Sequence, residues 1–336
     1  MVRRRREQWV PRGAQSGYNR AVITSRQHWL LILNGKSAAN EQVREAVHVL
    51  RERGVALSVR VTWEAGDVDR YVAEAVFAKV DTVIAAGGDG TLSEVANALA
   101  HYRLSSNDAP ALGLIPLGTA NDFATATKIP TAPLEALELI ALQHQRPIDL
   151  MRIQTQDSTR WFINLASGGF GTQVTVETPE GMKRLLGGLA YLLTGLAKIS
   201  SGNVELVQCE LRGSDFAWSG GCLALGVGNG RQAGGGQVLC PDARLDDGLL
   251  DLTVIPELEA HAKGVVDVAL KEGRTAALDH IAVRVKRPWC GLRAPQPMTR
   301  NLDGEPLTSD FFRIECWPAR VRMHLPPDCA LLQSAQ

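Results

Sequence analysis

The chain has 336 residues, enough for two domains at roughly 100–200 residues each. Lysine plus arginine and aspartate plus glutamate both total 36, a zero net charge that speaks against a nucleic-acid binder with its usual basic excess. Hydrophobic residues make up 45%, ordinary for a globular protein, and no run of about 18 uncharged apolar residues suggests a spanning helix.

The chain opens on a basic extension, residues 1–26, in which Arg3 to Arg6 precede Trp9. It has the charge of a signal n-region without an apolar run behind it, so a disordered tail is expected; contact of the arginines with anionic lipid heads is the competing reading. Residues 27–150 then alternate. Strands are predicted at 29–33, 57–61, 82–85 and 111–117. The first helix has Val43, Ala46, Val47 and Leu50 on one face, Asn40 as N-cap and Gly54 as stop. A second follows Asp67, a third carries Leu92, Val95, Ala96 and Leu99, and a fourth covers 134–142 with Pro133 in its first turn. Strand–helix alternation predicts an α/β, Rossmann-like domain with a parallel sheet covered on both faces. From 151 to 332 the pattern becomes β-rich. Short runs at 161–166, 204–211, 222–227, 249–255, 281–285, 311–317 and 321–325, many separated by Gly or Asp-Gly turns, predict a mainly antiparallel β-sandwich. Helical stretches near 181–199 and 258–271 interrupt it. The first contains an apolar segment with basic ends, 183–198, which suits a buried core helix better than one lying in a membrane interface. Six cysteines without CxxC spacing and seven histidines without an HxxxH pair predict reduced thiols in a cytosolic protein and no zinc site.

Chemistry concentrates first in Val83-Ile84-Ala85-Ala86-Gly87-Gly88-Asp89-Gly90-Thr91-Leu92-Ser93-Glu94. A strand, a glycine turn and a helix start build an anion site from backbone N–H groups and the helix dipole. It is not a Walker A loop: it has no lysine, and Gly35-Lys36-Ser37 has Leu30 where the upstream glycine belongs. Asp89 in such a turn either holds a cation that also binds phosphate or accepts N–H bonds that shape the loop. A second loop, Gly118-Thr119-Ala120-Asn121, follows the next strand, and Thr62 ends the second; loops after parallel strands open on one edge of the sheet. Asn229-Gly230-Arg231-Gln232-Ala233-Gly234-Gly235-Gly236 is either a mobile loop or a close-approach site. Asp246-Asp247-Gly248 and Asp303-Gly304 read as hairpin turns, yet Asp303 and Glu305 on one turn could also supply a general base.

In order, LLILNGKS, VRVTWEAGD, GGDGTLSEV, LIPLGTANDFAT, INLASGGFGT, GVGNGRQAGGGQ, CPDARLDDGLL and NLDGEPL resemble the diacylglycerol-kinase-type lipid kinases, most closely the bacterial YegS lipid kinases, over about 29–332. The resemblance implies an N-terminal ATP-binding domain, a C-terminal lipid-substrate domain and a cleft between them. It assigns ATP contacts to Thr62, to Gly88, Asp89, Gly90, Thr91, Leu92, Ser93 and Glu94, and to Thr119; the general base to Glu305; and a magnesium site, with calcium as the other candidate, to Asp247 and the carbonyls of Arg244 and Leu249. Ser93 departs from the asparagine common in this motif. The reaction implied is transfer of the γ-phosphoryl group of ATP to a hydroxyl of a diacylglycerol- or phosphatidylglycerol-like lipid. The corresponding location is cytoplasmic, with transient contact at the inner-membrane surface and no nucleic-acid partner. A kinase for a soluble acceptor such as NAD, and a nucleotide sensor without catalysis, are the alternatives.

Overall fold

The computed structural model describes residues 27–102, 108–142, 144–169, 207–256, 279, 281–303 and 305–333. The expected helices near 181–199 and 258–271 lie outside them. The first half is built from β1 (His28–Leu33), α1 (Glu41–Glu52), β2 (Ala56–Val61), α2 (Asp67–Phe77), β3 (Thr82–Gly87), α3 (Asp89–His101), β4 (Ala111–Pro116), α4 (Asp122–Thr127) and α5 (Pro133–Ala141). The local signals act as chemistry dictates. Asn40 accepts a hydrogen bond from the Val43 N–H at 3.1 Å and starts α1, and Gly54, at φ +94°, follows its end. Pro133 occupies the first turn of α5, where its missing N–H costs nothing.

The four strands run parallel in the order β2-β1-β3-β4. Alternation sorts their side chains onto two faces. Leu30, Ile32, Val83 and Ala85 pack with α2 and α3; Trp29, Leu31, Ile84 and Ala86 pack with α1 and α5. Each fully buried Val, Leu or Ile stabilises the fold by roughly 1.5–3 kcal/mol. Because β1 is followed by β2 on one side and flanked by β3 on the other, the chain changes direction between β1 and β3. A crevice opens there, at the carboxyl ends of the strands.

The second half is all strand among the described residues: β5 (Gln145–Gln154), β6 (Thr159–Phe162), β7 (Leu165–Gly169), β8 (Val207–Arg212), β9 (Ala217–Gly228), the short β10 (Gln232–Ala233) and β11 (Gln237–Val238), β12 (Leu250–Pro256), β13 (Val283–Arg287), β14 (Trp289–Leu302) and β15 (Glu305–His324). Its internal pairings are antiparallel and enclose a second core around Phe162, Leu211, Leu252 and Phe312. Strand β15 joins the halves. It pairs with β14 and β5, and at Met323 it meets Leu112 of β4 in parallel, so hydrogen bonding runs unbroken from β13 to β2. Beyond it, Leu325, Leu331 and Leu332 pack into the core of the first half.

Candidate active site

The crevice predicted by strand order is a cleft of about 690 Å³ lined by Asn34 to Lys36 after β1, Thr62 to Gly66 after β2, and Glu94 and Asn97 of α3. A second cleft, about 520 Å³, is lined by Gly88 to Gly90, Gly118 to Ala120, Asn164, Gly234, Gly235, Asn301 and Asp303. Thus Thr62 and Glu94 face the first cleft, and Gly88, Asp89, Gly90 and Thr119 the second.

Between β3 and α3 the backbone turns without a side-chain cap: Gly88 has no side chain to cap the first turn of α3. The N–H groups there present the positive end of a 13-residue helix. Close approach is built in. A Cβ on Gly118 would lie 2.6 Å from the Cα of Gly88, so the two glycine loops touch backbone to backbone. The Thr91 hydroxyl is turned inward, accepting from Asn34 Nδ2 at 3.0 Å, and Leu92 and Ser93 are buried. The Thr62 hydroxyl accepts from the Gly35 N–H at 3.1 Å. Asn121 folds onto its own loop, accepting from the Gly118 N–H at 2.9 Å.

The aspartate inside the glycine turn serves the turn. Asp89 accepts from the N–H groups of Asp122 (3.0 Å) and Phe123 (3.1 Å) and so caps α4, which has no cap of its own. Asp122 in turn accepts from Gly235 (2.9 Å) and Gly236 (2.7 Å), drawing the glycine-rich hairpin of β10 and β11 onto the cleft. Asp303, at φ +50°, accepts from the N–H groups of Ile163, Asn164 and Leu165 at 2.9–3.2 Å. Burial pushes its carboxyl up to about 6 against the opposing pull of those hydrogen bonds. The turn it begins brings Leu302 opposite Glu305. That turn abuts α3: a Cβ on Gly90 would be 3.8 Å from the Asp303 carbonyl oxygen, and Ser93 hydrogen-bonds the Asp303 carboxyl. Crowding on the cleft side, then the charges of Glu305 and Asp69, raise the carboxyl of the surface-exposed Glu94 above its usual range. The charge of Glu305, distant in sequence from the glycine turn, is thus felt at Glu94.

Residues 28–153 match the diacylglycerol kinase catalytic domain, and residues 165–325 the YegS C-terminal NAD kinase beta sandwich-like domain. A Xanthomonas oryzae pv. oryzae (strain MAFF 311018) protein named "Probable lipid kinase YegS-like" is 58% identical over 91% of this chain and 98% of its own length. The chain belongs to the YegS-like lipid kinase family. A Yersinia enterocolitica protein of the same name is 47% identical over 91% of the kinase and 99% of its own length. A crystal structure from Bacillus anthracis str. Sterne, named "a putative diacylglycerol kinase", superposes with a TM-score of 0.73 at 26% identity, covering 93% of the kinase and all of that chain. The kinase is thus a phosphotransferase with an α/β N-terminal half and a β-rich C-terminal half.

Two residues of the kinase that sequence reasoning did not assign emerge from this geometry. Lys36 lines the first cleft; its signal was its place after β1, beside the switch point, rather than the Walker spacing it fails. Asp122 clamps the glycine hairpin, which no local pattern around it could reveal. The expected metal residues lie elsewhere, at a corner near β12 and β13. Asp247 accepts from the Leu249 N–H at 3.1 Å and from Lys286 Nζ at 2.9 Å, while Arg244 donates to the Leu332 carbonyl at 3.0 Å. Of the expected donors, the carbonyls of Arg244 and Leu249 and the carboxylate of Asp247, the one charged group is already paired with an ammonium. Among the described residues no helix is long and apolar enough to cross a membrane.

Proposed function

We propose that the kinase transfers the γ-phosphoryl group of ATP to a hydroxyl of a membrane lipid, diacylglycerol- or phosphatidylglycerol-like. Residues 27–150 act as the ATP-binding unit and residues 151–332 as the lipid-substrate unit. The observation that carries the reading is the meeting of the Asp303 turn, which leads into Glu305, with the uncapped start of α3, a helix end suited to anions. The β- and γ-phosphates rest on the N–H groups from Gly88 to Thr91, with Thr119 at the loop opposite and Thr62 and Lys36 along the first cleft. Gly88 and Gly118 keep side chains away from the polyanion. The inward hydroxyl of Thr91 holds the β1 loop through Asn34 and acts by shaping the site.

Glu305 accepts the proton of the attacking hydroxyl. Asp89, Asp122 and Asp303 are committed to backbone N–H groups; of the remaining acids, Glu64, Asp69 and Glu94 belong to the first half, whereas Glu305 lies on the strand of the β-rich half, on the acceptor's side. A divalent cation carried by the nucleotide would neutralise phosphate charge. Positioning and charge stabilisation supply most of the rate in such a transfer. Supporting the acceptor class are the names of the relatives and the domain match. Incubation with γ-labelled ATP, Mg²⁺ and a total lipid extract tests the reading, with label expected in one lipid class. Label in NAD and none in lipid would replace it with a soluble-acceptor kinase.

A further inference from the structure

We propose that Lys286 is a built-in competitor for divalent ions at Asp247, so that this corner of the β-rich half is held together by its own ammonium group. Lys286 Nζ donates to the Asp242 carbonyl at 2.8 Å and to Asp247 Oδ2 at 2.9 Å, and lies 3.3 Å from Asp251 Oδ2. The strand pairing puts it there, because Lys286 of β13 sits directly opposite Asp251 of β12. An ammonium offers three N–H donors on one nitrogen; here it donates to two oxygens and holds its charge beside a third.

Both carboxylates are shielded from water, with side-chain exposures of 10% for Asp247 and 8% for Asp251. Asp251 Oδ2 is buried and makes no hydrogen bond, so the nearby ammonium is what neutralises it. A divalent ion on Asp247 would share that carboxylate with a fixed positive charge, and like charges repel strongly when partly shielded. Driving Lys286 away instead would leave Asp251 as a buried carboxylate without its ion pair, the costly way to break such a pair. The second oxygen of Asp247 already accepts the Leu249 N–H. Each route by which an ion could enter thus carries a penalty that the removal of one amine would abolish. The corner needs no divalent ion for its assembly and binds one weakly.

Calorimetric titration of the full-length, nucleotide-free protein with Ca²⁺ and with Mg²⁺ tests this. The wild type should give weak binding indistinguishable from Asp247→Asn. Lys286→Gln should bind at least about tenfold more tightly, a difference of about 1.4 kcal/mol. The double variant Lys286→Gln, Asp247→Asn should lose that gain. Thermal melting gives a second readout: Lys286→Gln should melt lower than the wild type and recover with added Ca²⁺, while the wild type is indifferent to the ion and to chelator. Wild-type binding as tight as that of Lys286→Gln, or no gain in the variant, would overturn the proposal. If Lys286→Gln does not fold, the wild type against Asp247→Asn decides. A site lost in Asp247→Asn overturns the idea, and equal weak binding in both supports it. No step of phosphoryl transfer enters these measurements, so their outcome is independent of the reading above.

Discussion

Three aspartates around the cleft carry negative charge toward a site meant for a polyanion, and all three aim it at peptide N–H groups. Asp89 caps α4, Asp122 gathers the glycine hairpin, and Asp303 gathers three consecutive N–H groups leading into β7. They are a frame for the cleft, and Glu305 stands apart from it. Replacing Glu305 by Gln should therefore leave ATP binding near the wild-type value and lower kcat by roughly 10²-fold or more; equilibrium nucleotide binding and steady-state kinetics check the two halves of that statement. A second residue-scale expectation concerns His324. Burial, then the charges of Arg322 and His144, push its imidazole down to about 3, and its Nε2 lies 3.0 Å from the Thr82 hydroxyl. With an unfolded value of about 6.5, the neutral ring stabilises the fold above that pH, and the contribution is lost as pH falls toward 3. Asp303 has the opposite sign: its raised value means that acidification through about 6 relieves a buried charge. The two partly cancel in the wild type, so the difference between His324→Gln and wild type is the quantity to follow. Denaturant unfolding should show the variant gaining on the wild type by up to about 1.4 kcal/mol per pH unit below 6.5.

At the scale of elements, the contact between the loops after β3 and β4 is the tightest constraint on the site. Adding one methyl group at Gly118 drives it to 2.6 Å from the Cα of Gly88, and backbone cannot yield as a side chain tip does. Gly118→Ala should keep the fold, since the loop is at the surface of its sheet, and raise the KM for ATP at least about tenfold by tilting the N–H groups off the phosphates. Kinetics at varied ATP, with circular dichroism as the control on folding, measure this. Elements with local instructions were legible in the sequence. Helix α1 has its cap, its apolar face and its terminal glycine all within one window of chain. Helix α4 escaped because it has six residues and takes its cap from Asp89, 33 residues away. Strand β14 escaped because Pro295 and Pro297 interrupt its alternation, and its pairing shifts register between Arg293 and Met298. The runs at 311–317 and 321–325 look like two strands, yet both belong to β15, whose pairing with β5 shifts between Trp317 and Val321 around Ala319 at φ +51°.

At the largest scale, the consequential fact is that the described residues after 320 return to the half formed by residues 28–153. Val321, Met323, Leu325, Cys329, Leu331 and Leu332 complete the core behind α3. At roughly 1.5–3 kcal/mol for each large side chain, their burial rivals the roughly 5–15 kcal/mol by which an ordinary domain is stable. A chain cut after residue 318 should thus lose the nucleotide half as well as the C-terminal strand. Limited proteolysis should find no resistant fragment covering 28–153, whereas the intact protein should melt in a transition shared by both halves. Nothing in the sequence announces this return. An apolar alternating run says that one face is buried, and cannot say which sheet edge receives it. The glycine turn, by contrast, could be located from sequence, because its chemistry is written in adjacent residues. Strand β15 has a last, mechanical consequence. Tension on the C-terminus would load it lengthwise, in shear against its neighbours on either flank, so that many rungs must fail together. A machine unravelling the protein from that end would have to dismantle the glycine-turn cleft and the Asp303 turn in one event, leaving neither half intact.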